Sequence, residues 1–169
     1  MDPRKTFAEP PDQLPRFTGR LGLLFLLTGI FLSNFVARIL PAPLLIVIEG
    51  DLHIGHASAG SLFLVISSGV CIGLLGSGYV ASRLTHRKTV ILSAMLLGVA
   101  LLTTSRSTSL AGMQISLALV GISAGLYFPS GIATITAHIR PTDWGKALSV
   151  HELAPNLGFV AAPLIVEFL

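Results

Sequence analysis

Apolar and polar residues fall into long oily blocks separated by short polar stretches. A bilayer core of about 30 Å takes about 20 apolar residues in helix. Five blocks meet or approach that length, at residues 21–48, 57–81, 89–104, 110–137 and 147–169. Backbone groups in lipid must pair within their own segment, so each block is predicted to be a helix. The third block is short, and the first and fourth are long enough to require tilt or kinks. The predicted fold is all-α: a polytopic membrane bundle of five transmembrane helices. The connections are brief and polar, reading "EGDLHIGH", "SRLTHRK", "SRSTS" and "HIRPTDWGK".

Composition agrees with this pattern. Of 169 residues, 52% are hydrophobic and 11% charged, against about 25% charged in soluble domains. That is too little charge to coat a soluble globule. Residues 1–20 hold Pro3, Pro10, Pro11 and Pro15 among mixed charges and read as a flexible tail, with a short surface helix near its end. The first block is too long for a signal-peptide core and lacks a cleavage site. The single cysteine, Cys71, excludes an internal disulfide; between apolar neighbours it reads as a small packing residue.

Lysine and arginine set the orientation. The tail carries Arg4, Lys5, Arg16 and Arg20; the second connection carries Arg83, Arg87 and Lys88; the fourth carries Arg140 and Lys146. Those nine lie on one side, Arg106 alone lies on the other, and the remaining one, Arg38, lies inside the first block. The bias places the amino terminus in the cytoplasm of a cell-membrane protein. The basic residues are thus topology signals, with membrane lipid as their partner and no nucleic acid expected.

Several polar residues sit where lipid-facing residues are expected. Asn34 and Arg38 are four apart and share a helical face. An arginine near mid-membrane costs about 2.5–3.5 kcal/mol on insertion scales and usually faces a pathway or a partner. Arg38 either snorkels to the outer headgroups or faces a water-filled cavity, and Asn34, which extends the polar face inward, favours the cavity. Pro41 and Pro43 lack the N–H groups that would bond to the carbonyls of Ala37 and Ile39, predicting a bend one turn beyond Arg38.

In the fourth block, Gly121 and Gly125 form a close-packing GxxxG pair. Ser123, Tyr127, Ser130, Thr134 and His138 form a roughly opposite stripe, in which Tyr127 is the residue expected to line a cavity; serines and threonines here often bond back to their own helix. Packing seams of small residues are also predicted at Gly69, Gly73 and Gly76, and at Gly158 and Ala162. In the fifth block His151 and Glu152 enter the membrane soon after Lys146, Glu152 shares a face with Asn156, and Pro155 frees the carbonyl of His151. An acidic group at this depth is either held by nearby basic connections or used for solute contact, gating or proton coupling.

Three apparent motifs lack their context. "GISAG" at 121–125 spells G-x-S-x-G, but no strand precedes Ser123; an intramembrane serine hydrolase would need His151 as its base. "HELAP" at 151–155 lacks the second histidine of a zinc site. "GLLGSG" at 73–78 lacks the lysine and hydroxyl residue of a phosphate loop. No metal or other cofactor is expected, nor is an enzyme; the alternatives are that hydrolase and a stand-alone five-span interaction protein.

From about Leu21 onward the chain resembles the amino-terminal half of a major facilitator superfamily (MFS) transporter. "GYVASRLTHRKTV" is similar to the family's G-x-x-x-D-R-x-G-R-R loop: Gly78, Arg83 and Arg87 match and Lys88 adds a charge. Ser82 stands at the aspartate position, Thr85 at the glycine position and His86 at the first arginine of the closing pair. "GISAGLYFPSG" resembles the glycine-rich fourth helix, with Leu117 where an arginine is often found, and "WGKALSVHELAPNLGFVAAP" resembles the start of the fifth. The resemblance implies a secondary transporter working by alternating access, its first and fourth helices lining a central cavity. It implies a small-solute partner bound by Asn34, Arg38, Ser123, Tyr127 and Asn156. Coupling or gating would fall to His151, Glu152, Gly78, Arg83, Arg87 and Lys88. Arg38 favours an anionic solute, and Glu152 a coupled proton. A half of such a transporter has six spans, so the expectation is a longer protein whose remainder completes this bundle.

Overall fold

The computed structural model describes Pro15 and residues 17–168. Among the described residues the architecture is helical with no strand: α1 (Leu21–Ile39), α2 (Leu45–Leu52), α3 (His56–Leu84), α4 (His86–Thr104), α5 (Leu110–His138), α6 (Trp144–His151) and α7 (Leu153–Glu167). Short 3-10 turns precede α1 at Phe17–Arg20 and α6 at Pro141–Asp143. Five of the helical stretches are long and apolar enough to cross a membrane, the last combining the Pro141–Asp143 turn with α6 and α7. The tail expected at residues 1–20 lies outside the described residues apart from Pro15 and Phe17–Arg20.

Two of the predicted spans are corrected. The block at 21–48 is not one bent helix. α1 stops at Ile39, a turn covers residues 40–44, and α2 follows as a separate eight-residue helix. Pro41 and Pro43 both lack a donor within three residues, and Ala42 N–H takes the freed Ile39 carbonyl at 2.9 Å, so the chain turns rather than bends. α2 ends on His53 in the left-handed conformation (φ 50°), and Glu49 pairs with His56 at 2.6 Å, tying α2 to the start of α3. The block at 147–169 is likewise broken at Glu152, where α6 ends and α7 begins. Pro155 cannot bond to the His151 carbonyl, so the ladder is interrupted there. The remaining three spans agree with their helices to within three residues at either end.

α5 is the interior helix: 61% of its most apolar window is buried, against 22–33% for the other spans. It packs against α3, α4, α1 and α6. The α3–α5 seam is built on glycine. A methyl group on Gly121 would collide with the Ile66 carbonyl, and one on Gly125 with the Val70 carbonyl. Reciprocally, a methyl on Gly69 or Gly73 would strike the Ala118 or Ile122 carbonyl. Backbones this close gain dispersion contacts that larger side chains would prevent, which is what holds helices together in lipid. Gly76, predicted to join this seam, faces open space instead. On the other side α7 lies on α1, where Gly158 receives the Phe35 ring and Ala162 is fully buried.

The α3–α4 reversal is made by one residue. Thr85 has φ 85° and ψ 150° and separates Leu84, the end of α3, from His86, the start of α4. That backbone region is nearly exclusive to glycine and costs other residues about 1–3 kcal/mol. This explains why the related loop pattern has glycine at the position. Thr85→Gly is therefore expected to raise resistance to unfolding by about 1 kcal/mol, once glycine's greater unfolded-state entropy is subtracted. The unfolding midpoint in a sodium dodecyl sulfate titration checks this; an unchanged or lower midpoint would mean the corner is unstrained.

Candidate functional site

The polar side chains of α1, α5 and α6 separate into two groups, one sealed and one open. The sealed group lies where these three helices meet. Asn34 is fully buried; its Nδ2 donates to the Ile30 carbonyl at 3.0 Å and its Oδ1 accepts from Ser123 Oγ at 3.3 Å. The single Ser123 hydroxyl proton is shared with the Val120 carbonyl of its own helix, which is nearer at 2.7 Å. Tyr127, fully buried, donates its hydroxyl proton to the Leu27 carbonyl at 2.6 Å, and His151 Nε2 lies 3.0 Å from the same oxygen. The tyrosine ring folds back onto its own helix over Gly131, where a methyl group would come within 2.9 Å of Cζ. Phe31 stacks on His151 (centroids 4.5 Å apart, planes 5° apart) and on Tyr127 (5.7 Å, 17°).

This placement differs from the expectation for Tyr127, which lines none of the three cavities described here. Asn34 does not extend a polar cavity face from Arg38 either. It turns into the α1–α5 interface, because a buried amide must find partners and Ser123 supplies one. Nor do Ser123 and His151 make a nucleophile–base pair: the histidine turns its nitrogens to Tyr127 and Glu152. Among the described residues no three metal-ligating side chains converge.

The open group centres on Arg38. The side chain is part-buried; among the described residues its Nε has no hydrogen-bond partner and the group has no carboxylate partner. Its guanidinium carbon lies over the Phe35 ring, 5.2 Å from the centroid. Arg38 lines two adjoining cavities. One, of about 450 Å³, lies between α1 and α3 and includes Phe35, Phe63, Ser67 and Cys71. The second, of about 220 Å³, reaches inward past Phe31, Leu74 and Phe128. Phe35, Arg38 and Val70 belong to both. Cys71, read from sequence as a packing residue, is exposed on the wall of the first. A fixed cation in apolar walls attracts an anion, since an unpaired charge there is costly.

The other predicted residues are dispersed. Glu152 and Asn156 are exposed. Glu152 Oε1 lies 3.4 Å from His151 Nδ1, and Asn156 Nδ2 donates to the Glu152 carbonyl at 3.2 Å, serving the helix break. Gly78, Arg83, Arg87 and Lys88 are all exposed at the α3–α4 corner. Arg83 lies over Tyr79, 5.5 Å from its centroid. Ser82, at the aspartate position of the related loop, bonds back to the Tyr79 carbonyl at 2.7 Å. Arg87 lines a groove of about 790 Å³ between α1, α4 and α5 together with Arg20, Thr134 and His138, a grouping that spacing alone did not indicate.

Helix order, the glycine seam and the basic corner converge with an independent comparison. The sequence model of the Major Facilitator Superfamily matches residues 26–169. No curated protein matches the chain. The chain therefore belongs to the Major Facilitator Superfamily, a family of multi-pass secondary transporters of small molecules.

Proposed function

We propose that this chain forms part of a transporter for a small organic anion, whose negative group is held by Arg38. The observation that carries this reading is a part-buried guanidinium, without a carboxylate partner among the described residues, that lines two adjoining apolar cavities. Such a group is costly in a membrane helix and is retained where a counter-ion or water meets it. Asn34, Ser123 and Tyr127, sealed between α1 and α5 here, would reach solute only in a conformation that parts those helices. Asn156 would do so only through a partner surface lying on α7. The basic corner at Gly78, Arg83, Arg87 and Lys88 is assigned to the inner gate, on the cytoplasmic side that the lysine and arginine bias indicates, in a cell membrane.

Uptake by cells or proteoliposomes holding the full-length protein tests the solute class. Small carboxylates are expected to accumulate and to compete with one another, while their neutral amides do neither. Preference for the amides or for cations would contradict the reading.

A further inference from the structure

The two cavities that share Arg38 differ in character. The outer one, of about 450 Å³, has the Ser67 hydroxyl and the Cys71 thiol on its wall. The inner one, of about 220 Å³, lies among Phe31, Phe35, Val70, Leu74, Ala124 and Phe128. Among the described residues, Arg38 brings the single polar side chain to that inner wall. Phe31 and Phe128 stand 5.7 Å apart between centroids, tilted by 48°. An apolar cavity of about 150 Å³ is already large enough to stay dry and take up benzene. The inner chamber therefore has room for one six-membered ring, and its walls suit a ring without hydroxyl groups.

We propose that the anion held by Arg38 is an aromatic monocarboxylate, its ring in the inner chamber and its carboxylate on the guanidinium that the two cavities share. This deepens the transport reading above and rests on it. The available charge is single. Among the described residues neither wall has a second lysine, arginine or histidine, so a second carboxylate would lose water without gaining a counter-ion. A donor is also unpaired. Arg38 Nε is buried with no acceptor among the described residues, and a carboxylate can take Nε–H and a terminal N–H together as a bidentate pair. The cation is held in place by Phe35, whose centroid lies 5.2 Å from the guanidinium carbon. Phe35 is in turn keyed against Gly158 and set edge-on to Phe159 at 5.0 Å.

Two residues of α5 set the size of the inner chamber. Ala124 is buried and ends at Cβ, so a longer side chain there would occupy the ring's space. Phe128 is 37% exposed, so truncating it widens the chamber without emptying the core. These are specificity-determining positions: they touch the ring and leave the carboxylate to Arg38. A solute rich in hydroxyls fits this wall poorly, because each hydroxyl placed in the inner chamber gives up water without a partner.

Equilibrium dialysis of the full-length protein in lipid nanodiscs tests this, with radiolabelled benzoate, acetate, succinate, benzamide and 2-naphthoate as probes. Binding avoids the passive leak of weak acids that complicates uptake. Benzoate is expected to bind roughly tenfold to a hundredfold tighter than acetate, as burying an apolar group of ring size gives, and tighter than succinate. Ala124→Leu should bring the benzoate-to-acetate ratio toward one, and Phe128→Ala should shift preference from benzoate to 2-naphthoate. The second variant reads the chamber even where the first does not fold. Acetate equal to benzoate, or succinate tighter than both, would overturn the aromatic monocarboxylate and leave the anion reading standing. Ratios unchanged in folded Ala124→Leu and Phe128→Ala proteins would overturn the placement of the ring. Benzamide binding as tightly as benzoate, or no binding of any carboxylate, would overturn the anion reading and this inference with it.

Discussion

Replacing Gly125 by valine is expected to break the bundle at its centre. The new Cβ would collide with the Val70 carbonyl and lie 2.6 Å from Leu74 N. Both are backbone atoms of α3, held in helix, so neither can rotate aside. Overpacking costs about 1–3 kcal/mol where side chains can give way; here whole helices must separate, and the loss should reach or exceed the upper end. Gly121→Val should behave alike, since its Cβ meets the Ile66 carbonyl and Val70 N. Gly76→Ala and Gly78→Ala, on the same helix as Val70 but facing open space, should shift the detergent unfolding midpoint little. A Gly125→Val protein as resistant to unfolding as the wild type would mean the α3–α5 contact is looser than described.

Arg38→Ala should abolish uptake without loss of folded protein. Removing one partner of a desolvated, hydrogen-bonded charge pair costs about 2–5 kcal/mol, and each 1.4 kcal/mol is a tenfold change in affinity. Uptake at low solute concentration should therefore fall roughly thirtyfold or more. The fold has no matching need for the charge: Arg38 makes no ion pair among the described residues, and alanine removes the insertion cost of the guanidinium. Arg38→Lys keeps the charge but not the planar fork and should retain partial uptake. Equal uptake by wild type and alanine variant would take Arg38 off the solute path; loss of folded protein in the alanine variant would make it a structural residue.

Some of this was legible along the chain. Lipid demands long apolar blocks and internally paired backbone, so the helices could be read directly. The glycine seam was legible because small residues every fourth position have one common use in membranes; Gly76 failed only because its face turns outward. The strained corner at Thr85 was foreshadowed by the glycine of the related loop. The breaks were harder. Two prolines signalled a disturbance after Arg38, but whether a helix bends or stops depends on what receives the freed carbonyls, and Ala42 N–H does so in a turn. Pro155 signalled the break at Glu152 in the same indirect way.

The partners of buried polar groups were the least legible. Spacing places Asn34, Ser123 and Tyr127 on particular helix faces, but it does not say whether a cavity or another polar side chain lies opposite. Asn34 met Ser123, and Tyr127 met His151 and a carbonyl. These bonds join α1, α5 and α6, so their donors and acceptors were separated by 24 to 100 residues in the chain. Arg38, with no such partner among the described residues, lines two cavities.

The wall of that cavity contains its own reporter, the chain's single cysteine. In the full-length protein, with Cys71→Ser as the blank, Cys71 can be challenged with membrane-impermeant thiosulfonates bearing a sulfonate or a trimethylammonium group. If Arg38 faces water in a solute pathway, both reagents label Cys71, the sulfonate reacts faster, and Arg38→Ala removes its advantage. Labelling by an apolar maleimide alone, with both charged reagents excluded, would place the guanidinium among acyl chains and contradict the account.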